Sequence, residues 1–107
     1  MKLIIDDADV NAIKHLVEYY PVDGVTTNPS ILAASGRQPF EVLHEIRDII
    51  GPEMELHAQV VARDAEGMVA DGKRIVAELG ANTFPKVPSV PEGFKAMVSP
   101  MLILSLA

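Results

Sequence analysis

Apolar and polar positions change period several times along this chain. Leu3, Ile4 and Ile5 form a short apolar run that ends in Asp6 and Asp7. From Val10 the spacing turns helical, with Val10, Ile13, Val17 and Tyr20 on one face and Asp7 or Asp9 available as the cap. Val22 to Thr27 reads as a second strand, closed by Asn28 and Pro29, an N-cap and first-turn pair that predicts a brief helix to about Ala34 before Gly36. Pro39 opens a further helix with Phe40, Leu43, Ile46 and Ile50 as its buried stripe and Gly51 as its stop. From Met54 to Val61 the period is two: Met54, Leu56, Ala58 and Val60 take one face, Glu55, His57, Gln59 and Val61 the other. Asp64 then caps a helix with Met68, Gly72, Ile75 and Leu79 on one face and Gly80 at its end. Thr83 to Val87 is the fourth strand, and Pro91 begins a last helix.

Strict alternation of strands and helices implies parallel strands joined by right-handed crossovers. No glycine-rich nucleotide-binding loop follows the first strand, which turns the expectation toward a (β/α)8 barrel. Reactive groups of such barrels sit where strands end. Asp6, Asn28, Gln59 and Lys86 are the polar residues at the four strand ends, and they share parity with Ile4, Thr26, His57 and Phe84 two positions earlier. One face would thus carry a carboxylate, two amides and an amine. Lys86, set among Phe84, Val87 and Pro88, has two readings. It is an edge-strand lysine that discourages aggregation, or an amine in a poorly hydrated pocket, where desolvation favours the neutral form that attacks carbonyl carbon. His57 reads as an interior residue bonded to a neighbour, not as a ligand, and His15 and His44 as solvent-side positions on helices.

Charge and composition narrow the class. The 107 residues suit one small domain, 49% are apolar, and the net charge of −6 argues against a non-specific nucleic-acid partner. There is no cysteine, which removes disulfides and thiolate metal sites and fits a reducing compartment. The apolar stretch before Asp6 is too short for a signal peptide, and no run approaches a membrane span. The expectation is a cytoplasmic protein without a membrane partner.

Asp6, the stretch Asp23-Gly24-Val25-Thr26-Thr27-Asn28-Pro29-Ser30, Ala65-Glu66-Gly67-Met68, and Lys86-Val87-Pro88 followed by Glu92-Gly93 together resemble the short transaldolases and fructose-6-phosphate aldolases, over roughly residues 1–97. The resemblance implies a TIM barrel and a Schiff base between Lys86 and the carbonyl of a ketose or of dihydroxyacetone. It implies that Asp6 assists proton transfer, that Asn28 positions substrate hydroxyls beside Thr26, and that Gln59 stands where transaldolases place a glutamate that holds water. Glutamine at that position leans toward the aldolases. The implied substrate is a small sugar or sugar phosphate; no metal or cofactor is called for, and a homo-oligomer is expected.

The chain departs from that pattern in three ways. A family barrel takes eight strands and on the order of 200 to 250 residues, whereas four βα units are legible here, a half barrel. Residues 98–107 do not continue the pattern and form a separate apolar tail, in which Met101 to Leu104 are expected to cover the open sheet or to pair with another chain. Pro85 removes one ladder donor and suits an edge strand. A second reading follows, in which the chain is an inactive half barrel that acts only as an associating piece.

Overall fold

The computed structural model describes residues 2–98 and 105–106. Strands β1 (Ile4–Asp6), β2 (Gly24–Thr26), β3 (Glu55–Gln59), β4 (Thr83–Val87) and β5 (Ser105–Leu106) form one parallel sheet in the order β1-β2-β3-β4-β5. Helices α1 (Val10–Tyr19), α2 (Pro29–Ala34), α3 (Pro39–Ile50), α4 (Ala65–Leu79) and α5 (Pro91–Ala96) fill the crossovers.

Local signals account for the helix ends. Asp9 accepts the backbone N–H groups of Asn11 and Ala12, Asn28 that of Ile31, Gln38 that of Glu41 and Asp64 that of Gly67. Each satisfies a donor that the first helical turn leaves unpaired. Gly36, Gly51 and Gly80 take positive φ where α2, α3 and α4 finish. Gly93 serves a different need: a Cβ there would overlap the carbonyl oxygen of Pro88, so only glycine lets α5 lie this close to the end of β4. Tyr20 falls just past the last residue of α1 and is exposed, so the buried stripe of that helix is carried by Ile13.

Period-two alternation sorts the sheet into two faces. Val25, Leu56, Ala58, Val60 and Val87 are buried in one cluster with Ile13, Leu32, Leu43, Ile46, Met68 and Ile75 from the helices. Consecutive strand order with right-handed crossovers puts all the helices on that side. The opposite face carries Ile4, Asp6, Thr26, Glu55, His57, Gln59, Phe84 and Lys86, all half-buried or exposed.

Arg47, near the end of α3, ties the amino-terminal ends of β3 and β4 together. Its Nε donates to the Leu79 carbonyl, Nη1 to the carbonyls of Gly51 and Met54, and Nη2 to the Asn82 carbonyl and Thr83 Oγ1. Burial pulls the guanidinium below its usual range, yet it remains the charged donor to every one of these groups.

Two expectations need correction. The sheet has a fifth strand, drawn from the tail, and β4 is therefore not an edge: Lys86 pairs with Ser105 and Val87 with Leu106. Pro85 is fully buried within the sheet. Its missing N–H is tolerated because of alternation in a parallel ladder. Asn82 and Lys86 direct their carbonyls to Leu56 and Val60, so even-numbered residues of β4 bond β3, and the donor that Pro85 lacks would point away from β3 and interrupts no bond of that ladder. The stretch Met101–Leu104 expected to cover the sheet lies outside the described residues.

Candidate active site

Asp6, Thr26, His57 and Phe84 occupy one register row across β1, β2, β3 and β4, and Gln59 and Lys86 pair in the next row toward the strand ends. Lys86 does not stay in its own row. Its Nζ donates to Thr26 Oγ1 at 2.6 Å, so the side chain crosses over β3 and descends to the level of Asp6 and His57. With strands about 4.8 Å apart, a flat sheet would place β2 and β4 roughly 10 Å apart, beyond this contact given the added step along the strand. The sheet must therefore curl toward this face, which brings alternate strands together over β3.

Asn28 lies beyond the end of β2. Its amide oxygen is committed to the cap of α2, so what it offers a ligand is the amide NH2 group. Gln59 is half-buried on β3, level with Lys86. Among the residues singled out from the sequence, the structure joins Lys86 to Thr26 directly, sets Asp6 beside Thr26 in register, and leaves Asn28 outside the strand rows. An apolar cavity of about 300 Å3 between α2, α3 and α4 touches Gln59 but not Lys86, and it is not part of this cluster.

His57 lies in the same row as Asp6 and Thr26. Its ring stacks on Phe84 at 5.2 Å between centroids, and Nε2 is 3.8 Å from Glu55, which also pairs with Lys2 Nζ at 2.9 Å. The Lys2 bond holds the Glu55 carboxyl below its usual range. Burial pushes the His57 pKa below 6.5, against the pull of Glu55 and with a further push from the charge of Lys86. His15 and His44 are exposed on α1 and α3, as their positions imply.

The depressed value has a measurable consequence. Below pH 6.5 the unfolded chain binds a proton that folded His57 resists, so the stability carried by neutral His57 is complete above that pH and is lost as the pH falls through the folded pKa. Replacing His57 by phenylalanine keeps a stacking ring and should flatten the loss of urea resistance between about pH 7 and pH 5. Equal acid slopes in the two proteins would contradict this placement of His57.

The structure is a parallel α/β sheet wound in one direction, with Asp6, Thr26, Gln59 and Lys86 on the face away from the helices. Comparison with known proteins places it more narrowly. The family described as Transaldolase/Fructose-6-phosphate aldolase matches residues 3–99. A probable transaldolase of Aquifex aeolicus (strain VF5) is 42% identical over 99 residues, covering 92% of this chain and 44% of the relative. One from Geobacter metallireducens (strain ATCC 53774 / DSM 7210 / GS-15) is 46% identical over 97 residues, covering 90% and 44%. The chain belongs to the transaldolase/fructose-6-phosphate aldolase family, and it spans less than half the length of these relatives. A UMP synthase from Leishmania donovani superposes with a TM-score of 0.67 at 14% identity, covering 97% of this chain and 26% of that one, a likeness of fold. No helix among the described residues is long and apolar enough to cross a membrane.

Proposed function

We propose that this chain carries the lysine-bearing part of a Schiff-base aldolase or transaldolase acting on ketose sugars or their phosphates, built on the first βα units of a (β/α)8 barrel. The observation that supports it most is the Lys86 Nζ contact with Thr26 Oγ1, on the face that also bears Asp6 and Gln59.

In this reading the neutral amine of Lys86 attacks the carbonyl carbon of a ketose, water leaves, and a protonated imine forms. When the carbon–carbon bond beyond the next carbon breaks, its electron pair moves toward the imine nitrogen and gives an enamine. The hydroxyl proton of the departing aldehyde passes to Asp6, which sits one strand from Thr26. Thr26 holds the amine in place before substrate arrives. The amide NH2 of Asn28 and the Thr26 hydroxyl orient substrate hydroxyls; after the aldehyde leaves, the enamine carbon takes back a proton, which regenerates the imine, and Gln59 holds the water that hydrolyses it to free Lys86 and the ketone. Glutamine there favours release of a dihydroxyacetone unit over its transfer.

The test is aldol addition. Dihydroxyacetone and glyceraldehyde 3-phosphate incubated with the chain should yield fructose 6-phosphate, and Lys86→Ala should yield none. Product that forms equally with Lys86→Ala, or no product from either protein, would overturn the proposal for this chain.

A further inference from the structure

Protein interiors seldom leave voids larger than a water molecule, yet a cavity of about 300 Å3 opens on the helix side of the sheet, between α2, α3 and α4 at the end of β3. All of its walls come from consecutive elements, and β3 has a paired strand on either side. Leu32, Leu43, Val60 and Ile75 are buried and line it, and Phe40 supplies a ring. An apolar cavity of about 150 Å3 is enough to take benzene, so this one has room for a ring with a short arm.

Polar groups border the cavity on α4. The guanidinium of Arg74 lies 4.3 Å over the ring of Phe40 and donates from Nε to Glu78 at 3.1 Å, two contacts that fix where it points. Its Nη1 and Nη2 have no hydrogen-bond partner among the described residues. One turn earlier, Asp71 accepts the backbone N–H groups of Val61 and Ala62 at 3.1 and 2.9 Å and so holds the segment that leaves β3. Glu78 already balances the charge of Arg74, and Asp71 lines the same cavity. An anion would therefore meet carboxylates, whereas a neutral oxygen acceptor meets only the free edge of the guanidinium.

We propose that this cavity binds a small uncharged ring compound bearing one hydroxyl or carbonyl oxygen, with the ring among Phe40, Leu32, Leu43 and Ile75 and the oxygen accepting from Arg74. Gln59 also lines the cavity and pairs in register with Lys86, so the occupant lies against the strand end that carries Gln59. The inference goes beyond the aldolase reading, and its test involves no sugar chemistry.

Benzyl alcohol titrated into the full chain and followed by amide-resolved NMR should give saturable shifts at Gln59, Val60, Val61 and Leu43. Toluene, which lacks the oxygen, should displace it from the same residues but bind about three- to tenfold more weakly. Arg74→Leu keeps an apolar stem over Phe40 and should lower the affinity for benzyl alcohol to that for toluene. Ala33→Phe, at another lining position, should fill the space and abolish saturation while the circular dichroism is retained. Shifts that spread over the surface without saturating, or that persist unchanged in Ala33→Phe, would overturn the proposal. So would equal affinity for benzyl alcohol with and without Arg74, or tighter binding of benzoate than of benzyl alcohol.

Discussion

Replacing Arg47 by alanine should cost the fold roughly 3 to 5 kcal/mol, enough to leave much of the chain unfolded, because net domain stability is only about 5 to 15 kcal/mol. The guanidinium donates to four carbonyls and to Thr83 Oγ1, and these groups come from the ends of α3 and α4 and from the turns leading into β3 and β4. Each acceptor left unpaired in a half-buried setting costs on the order of 1 to 3 kcal/mol, less where water can enter. Alanine also leaves a gap that water would fill at the base of the core. Arg47→Lys should recover little, since a single ammonium with three donors cannot span positions that the planar fork reaches together. Urea denaturation followed by circular dichroism measures the difference. A loss below about 1 kcal/mol for Arg47→Ala would mean that surrounding water replaces the fork, and that the strand bases are held by other contacts.

Nothing in the spacing of residues announces Arg47. It lies on the half-polar flank of α3, and its partners are mainly carbonyl oxygens between four and 36 positions away, groups that every residue possesses. By contrast, β1 to β4 and the helices between them were legible because residues whose chemistry ends an element stand at their borders, Asn28 with Pro29, Gly51, Asp64 and Gly80 among them, whereas β5 follows no such signal. The two faces of β3 were legible for a related reason, since Leu56 and Ala58 alternate strictly with polar neighbours and are buried as that alternation requires. Parity likewise placed Asp6, Gln59 and Lys86 on a common face with Thr26, whereas Asn28, expected among them, lies past the end of β2 as the cap of α2. What parity cannot convey is curvature. The contact from Lys86 across β3 to Thr26 exists only because the sheet curls, and curl is a property of several strands packed on a shared helical layer. Pro85 was misleading because a proline in a strand signals a missing ladder bond without saying on which side; the carbonyls of Asn82 and Lys86, both turned to β3, put it on the side away from β3. His57 was read as a residue bonded to a neighbour, and its same-strand partner Glu55 shares its face by parity, but the further link to Lys2 joins β3 to the residues ahead of β1 and could not be seen in β3 alone.

Reduction of the imine in place is the most direct test that Lys86 is the nucleophile. The chain contains five lysines, Lys2, Lys14, Lys73, Lys86 and Lys95, and four of them are exposed on the surface, where an ammonium remains well hydrated. Lys86 alone combines half-burial, a hydroxyl partner at 2.6 Å and a carboxylate-bearing strand next to that partner. Dihydroxyacetone with borohydride should therefore leave its reduced adduct on Lys86. Thr26→Val, which removes the hydroxyl that holds the amine, should slow its formation, and Lys86→Ala should abolish it. Peptide mass mapping locates the modification: an adduct on Lys86 that is lost in Lys86→Ala is the result predicted, and an adduct on Lys73 or Lys95 that persists in Lys86→Ala would contradict the account.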